Sequence, residues 1–130
     1  MSDIKVTLIE DDHAIVQMYV MRFKLTGGFN VQVANDGVAG LALIQEFKPD
    51  IILLDMMMPK MSGIETLTRL RKLPHGRRYK VIALTNMKDE DTLAKVKSLG
   101  VEDYIIKAEL SPSQIEDHIR RALGLMPSLA

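Results

Sequence analysis

Residues 51–63 read Ile51-Ile52-Leu53-Leu54-Asp55-Met56-Met57-Met58-Pro59-Lys60-Met61-Ser62-Gly63. The run from Ile51 to Leu54 is apolar at every position and stops at a carboxylate. A strand with one wet face alternates polar and apolar side chains, so an unbroken run of this length predicts a strand buried on both faces, inside a parallel sheet covered by helices. Working outward, Ile4 to Ile9, Phe29 to Val33, Val81 to Leu84 and Tyr104 to Ile106 are further short runs rich in β-branched residues. Helical spacing lies between them, as in Ile15, Tyr19, Arg22 and Phe23, or Ile115, Ile119, Ala122 and Leu123.

Five strand–helix units with helix-length crossovers predict an α/β, doubly wound (βα)5 fold of the flavodoxin-like kind, with a five-stranded parallel sheet and helices on both faces. Val31-Gln32-Val33 alternates and suits an edge, which fits strand order 2-1-3-4-5. Asp89, Glu90 and Asp91 open the fourth helix, Lys95 and Lys97 follow, and Gly100 stands where a left-handed residue ends it. Ser111-Pro112-Ser113-Gln114 reads as a capping box for the last helix. The expected organisation is one domain over residues 1–124 and a short tail over 125–130.

The 130 residues carry 17 Lys plus Arg against 17 Asp plus Glu, so no net field exists to hold a polyanion or an acidic membrane surface. With 47% apolar and 26% charged residues, the chain has the makeup of a folded domain. Cysteine is absent, which removes thiol catalysis and Cys-rich metal sites. Zero Trp and 5% aromatics leave few stacking platforms for single-stranded nucleic acid. No apolar run is long enough to span a bilayer, and no basic leader precedes the first strand. The expectation is a cytoplasmic protein with neither nucleic acid nor membrane as partner.

Polar residues collect at strand ends. Glu10, Asp11 and Asp12 follow the first strand, Asp55 the third, Thr85 the fourth and Lys107 the fifth. In a parallel sheet all reach one edge, and strands about 4.8 Å apart set Asp11 beside Asp55, with Lys107, the longest side chain, furthest away. Carboxylates at about 4 Å repel by roughly 4 kcal/mol at an effective dielectric near 20, so a counter-charge is required. Mg²⁺ suits a few carboxylates that leave coordination positions to water and phosphate. Asp55 is then the candidate nucleophile, able to form an aspartyl phosphate, and no His, Ser or Cys competes with it. Taken alone, Glu10-Asp11-Asp12 also reads as a solvated turn or an N-cap, Asp12 especially.

Leu8-Ile9-Glu10-Asp11-Asp12, Leu53-Leu54-Asp55-Met56-Met57-Met58-Pro59 through Gly63, Ala83-Leu84-Thr85 and Tyr104-Ile105-Ile106-Lys107 together resemble the motifs of the receiver domain of two-component response regulators. The likeness runs over about residues 4 to 124 and is to single-domain, chemotaxis-type regulators. It implies Asp55 as phosphoacceptor and Mg²⁺ held by Asp11 directly, by Glu10 through water, and by Asp55 and the backbone carbonyl of Met57. Thr85 and Lys107 would contact the phosphoryl oxygens. Thr85 and Tyr104 would form the switch, the ring turning inward on phosphorylation to alter the face of the fourth helix, fifth strand and fifth helix. The implied partners are a sensor histidine kinase or histidine phosphotransfer protein and a downstream protein at that face. The chain would be a monomer or a phosphorylation-dependent dimer, a signalling domain that catalyses only its own phosphorylation and dephosphorylation.

The sequence departs from the pattern in places. Ala108 follows Lys107 where the family has a cis proline, and a cis bond before a non-proline residue costs about 2.5 to 4 kcal/mol, so a trans bond or a rearranged loop is expected there. Asn86 stands where a smaller residue is commoner. Met57 and Met87 are both apolar where the family governs hydrolysis, implying slow self-dephosphorylation. A degenerate binding module remains a rival, although acids, acceptor and lysine are all present. An aspartate-based phosphohydrolase is another, although Met57 stands where its general acid belongs. Met56, Met58 and Met61 read as core filler, and Tyr104 also reads as packing. Arg69, Arg71, Lys72, Arg77 and Arg78 read as a solvated helix end and loop, and His75 and His118 as surface residues.

Overall fold

The computed structural model describes residues 2–86 and 89–126. Strands β1 (Ile4–Ile9), β2 (Phe29–Ala34), β3 (Ile51–Asp55), β4 (Lys80–Thr85) and β5 (Asp103–Ile106) alternate with helices α1 (His13–Thr26), α2 (Gly37–Phe47), α3 (Gly63–Lys72), α4 (Glu90–Ser98) and α5 (Pro112–Ala122). All pairings are parallel and the order is β2-β1-β3-β4-β5. Fold class and strand order match the sequence reading. The strands run slightly further than the apolar runs, because Lys80, Asp103 and Thr85 still share the ladder although their side chains are polar.

The all-apolar β3 has a direct explanation. Ile51 and Leu53 face Tyr19, Phe23, Ile115 and Ile119 of α1 and α5, while Ile52 and Leu54 face Ile44, Leu67, Leu70 and Val96 of α2, α3 and α4. Each such side chain fully withdrawn from water contributes roughly 1.5–3 kcal/mol, so both faces of this strand anchor the fold. Met56, Met58 and Met61 are buried beyond the strand end, as expected of gap-filling side chains.

Every α-helix begins on a side-chain cap. Asp12, Asp36, Ser62, Asp89 and Ser111 each accept a backbone N–H of the first turn, and Ser111 with Gln114 completes the capping box. Gly100, with φ +76°, closes α4. All five N-termini therefore gather at the carboxyl edge of the sheet.

Several long-range contacts differ from the expectation. Arg22, grouped with the apolar face of α1, donates through Nε to Glu116 Oε1 at 3.3 Å, and Thr26 donates to the same oxygen at 2.9 Å, tying α1 to α5. His118 is no free surface residue: its Nδ1 meets the Asp103 carboxylate. Arg71 is not a solvated helix end, since its guanidinium is consumed by backbone carbonyls of two loops. His75 does lie exposed in a loop, at φ 61°.

Gly63 starts α3 against the chain segment that carries Asp55. A Cβ here would stand 2.5 Å from both the Asp55 carbonyl oxygen and the Met56 Cα. Backbone cannot yield as a flexible side chain does, so Gly63→Ala is expected to cost about 2 kcal/mol. Urea denaturation of the variant checks this, and a midpoint equal to the parent's would show that α3 can retreat freely.

Candidate functional site

The parallel register sets the carboxyl edge. Ile9 pairs with Leu54, Asp55 with Leu84 and Thr85 with Ile106, so the residues that follow emerge side by side. Glu10 is held there by its N–H to the Ala34 carbonyl at 3.0 Å, and Met56 N–H donates to the Leu84 carbonyl at 2.8 Å. Glu10, Asp55 and Thr85 are buried at 1–2% exposure, whereas Asp11 is open to solvent. Asp12 turns away as the α1 cap, which leaves it the structural role that its position also allowed.

Three carboxylates, from Glu10, Asp11 and Asp55, bring oxygens within 4.8 Å of one another. Lys107 Nζ lies 2.7 Å from Glu10 Oε2 and 3.3 Å from Asp55 Oδ1. Lys107 thus bridges two buried acids, its nearer partner being Glu10. The peptide bond to Ala108 is trans, and residues Lys107–Glu109 tighten into a 3-10 turn. Across this trans bond Lys107 reaches both acids.

The charge balance is uneven. Burial pushes the Glu10 carboxyl up to about 7, against the opposing hydrogen bond from Lys107. Burial also raises Asp55, opposed first by the Met57 N–H, which donates to Asp55 Oδ1 at 2.9 Å, and then by Lys107. One ammonium contacts two of the three clustered acids, and all the clustered donors are oxygens. That set suits a hard divalent cation such as Mg²⁺, which the reading of the sequence requires at the same residues. The Met57 side chain is exposed and offers a water no strong hydrogen bond. Met87, the other position that the resemblance links to hydrolysis, lies outside the described residues.

Thr85 ends β4 with its side chain buried. Tyr104, on β5, packs against the α2–α3–α4 core, and its hydroxyl is buried without a hydrogen-bond partner. In this structure the hydroxyl lies inside the fold. Such an orphan costs roughly 1–3 kcal/mol, which favours any state that gives it a partner or returns it to water.

The outer face of α1 was not singled out from the sequence. Met18, Met21 and Leu25 are 45%, 68% and 81% exposed, in line along the helix at spacings of three and four. The signal was present in the sequence as apolar residues on both sides of one helix, but they masked one another.

The model of the response regulator receiver domain matches residues 6–120. The chain belongs to this family. Among its relatives, the probable C4-dicarboxylate response regulator DctR of Priestia megaterium is 37% identical over 103 residues, 78% of this chain and 44% of that protein. The phosphate regulon transcriptional regulatory protein PhoB of Rhizobium meliloti is 32% identical over 122 residues, covering 91% and 53%. The chain spans about half the length of these curated relatives. The chemotaxis protein CheY4 of Vibrio cholerae superposes with a TM-score of 0.84 at 26% identity, over 94% of this chain and all of that one. The receiver is thus a signalling domain of two-component systems. Among its described residues no helix is long and apolar enough to cross a membrane.

Asp11 repels two buried neighbours yet is itself exposed, so solvent screens part of the repulsion. Asp11→Asn is expected to stabilise the metal-free receiver by about 0.5–1 kcal/mol and to abolish any rise in thermal midpoint on adding Mg²⁺. Calorimetry with and without the cation checks both; a variant that keeps the full Mg²⁺ response would remove Asp11 from the cation site.

Proposed function

We propose that the receiver accepts a phosphoryl group on Asp55 from a phosphohistidine of a sensor kinase or phosphotransfer protein in the cytoplasm, and that the adduct is read by a second protein. The observation that carries this reading is the convergence of Glu10, Asp11, Asp55 and Lys107 in one nearly buried pocket. A carboxylate oxygen of Asp55 attacks phosphorus as the bond to the donor imidazole nitrogen breaks, and the nitrogen keeps the electron pair and is reprotonated from solvent. The Met57 N–H holds the other role of positioning, fixing Asp55 Oδ1 at 2.9 Å. Lys107 carries the positive charge that meets the incoming oxygens, and Thr85 offers a hydroxyl beside them.

Glu10, Asp11, Asp55 and the backbone carbonyl of Met57 would hold Mg²⁺. When bound, the cation supplies neutralising charge for the phosphoryl oxygens. Thr85 and Tyr104 form the switch, and the output surface is a groove of about 580 Å³ over α4, β5 and α5, lined by Leu93, Lys97, Tyr104, Leu110 and His118 among others. The degenerate-module reading is weaker because every acid and the lysine are in place. The hydrolase reading is weaker because Met57 has no proton to give.

The apolar stripe on α1 supports docking of the donor. The helix starts at His13, directly after the acidic cluster, so a helical partner seated on Met18 and Met21 would lie along the helix that leads away from the pocket.

Incubation with a small acyl phosphate and Mg²⁺ is expected to add one phosphoryl group, and Asp55→Asn to add none, by intact mass. Adduct formation in the Asn variant would place the acceptor elsewhere. Met18→Asp combined with Met21→Asp is expected to slow transfer from a phosphohistidine donor about tenfold, while reaction with the small donor continues unchanged. An equal loss with both donors would show damage to the pocket rather than to docking.

A further inference from the structure

At the edge of the sheet opposite Asp55, two loops are stitched together by one side chain. Arg71, in the last turn of α3, donates through Nε to the Leu99 carbonyl and through Nη1 to the carbonyls of Gly76 and Tyr79, each at 2.8 Å, and through Nη2 to the carbonyl of Gly100. Gly76 makes the closure possible, since a Cβ there would collide with the Leu70 carbonyl. The result is a concave surface of about 420 Å³ lined by Arg71, Arg77, Arg78, Tyr79, Lys80 and Glu102 among others.

Four cations line it and one acid does. Glu102 forms no ion pair within 4 Å among the described residues, and neither do Arg77 and Arg78, which are exposed. Lys80 Nζ donates to the Ala122 carbonyl at 2.7 Å, so it is held in place with donors to spare. Burial holds the Arg71 guanidinium below its ordinary value and the like charge of Arg77 adds to that, with Glu102 opposing. Positive charge has been collected here on a preorganised frame, while the chain as a whole is neutral.

The geometry points to a docking surface for an acidic peptide segment of a partner protein, with Arg77 and Arg78 as its carboxylate-binding forks. Arg71 has spent most of its donors on carbonyls, so it contributes field rather than the closed set of hydrogen bonds that a small phosphorylated ligand needs. The basic surface extends past the concavity to exposed Lys72, which suits an extended chain. Leu99 and Val101 line the same surface and give an apolar side chain between the acids a seat. Tyr79 is its one aromatic, too few for stacking along a nucleic-acid strand. The site lies away from Asp55 and does not depend on phosphoryl transfer.

The test is fluorescence anisotropy of a labelled peptide of alternating Glu and Leu, titrated with the full chain. Binding is expected at low salt, weakening as salt rises, and about tenfold weaker for Arg77→Glu combined with Arg78→Glu. Lys60→Glu changes charge in the same sense at the opposite edge and is expected to leave binding within about twofold. Equal losses in both variants, no binding at low salt, or a DNA oligonucleotide that binds more tightly than the peptide would each overturn the proposal. So would salt-sensitive self-association of the receiver that the double variant abolishes. Circular dichroism confirms folding, and Arg77→Gln with Arg78→Gln replaces the reversal if it does not fold.

Discussion

The lysine that follows β5 is wedged between two acids that water hardly reaches. Lys107 touches Glu10 at 2.7 Å and Asp55 at 3.3 Å, with the three side chains between 1% and 9% exposed. Removing one partner from a buried pair typically costs 3–5 kcal/mol, because it strands the other charge. Here the single cation holds the ends of β1, β3 and β5 together, so the outer strand is tied electrostatically to the middle of the sheet. The reach also explains the residue type: only a long cationic side chain crosses from β5 past β4 to β3 and β1.

Charge is partitioned along the strand direction as a consequence of the same winding. Each helix runs back against its strand, so capping aspartates and first-turn acids fall at the carboxyl edge and Lys or Arg of the last turns at the other. A balance of 17 against 17 therefore describes the average and not the surface. The acid-rich end receives five helix N-termini, whose partial positive charge favours an anion beside the acids, and the opposite end concentrates guanidinium groups around Arg71.

What the sequence made legible follows from how local each signal is. β3 was readable because burial on both faces leaves no polar residue in the run, and the helix starts at Asp12, Asp89 and Ser111 were readable because their cap partners lie two or three residues away. The site was readable because parallel strands deliver their carboxyl ends to one edge wherever the chain wanders between them. Arg71 was not, since its acceptors are main-chain carbonyls up to 29 residues distant, and a carbonyl has no sequence signature. The His118–Asp103 contact and the Arg22–Glu116 tie depend on how α5 lies against β5 and α1, which period alone does not fix. The buried state of the Tyr104 hydroxyl is a matter of rotamer, and rotamers are set by packing.

The position of Lys107 also gives the proposed event at Asp55 a route to β5. In the proposed adduct an Asp55 oxygen is esterified, so the ammonium loses one carboxylate partner and gains phosphoryl oxygens carrying roughly −1.5 to −2 charge. It must redistribute between those oxygens and Glu10. Lys107 is covalently continuous with Tyr104-Ile105-Ile106 and begins the 3-10 turn that leads to α5, so in the proposed adduct its shift would pull on the floor of the groove over α4, β5 and α5. The unpaired Tyr104 hydroxyl lies on that same strand and makes the present packing slightly unfavourable, which lowers the free energy needed to exchange it for another. A charge-driven change of a few kcal/mol at the pocket is then comparable with the difference between two packings of one face, which is the condition for a switch rather than a gradual deformation.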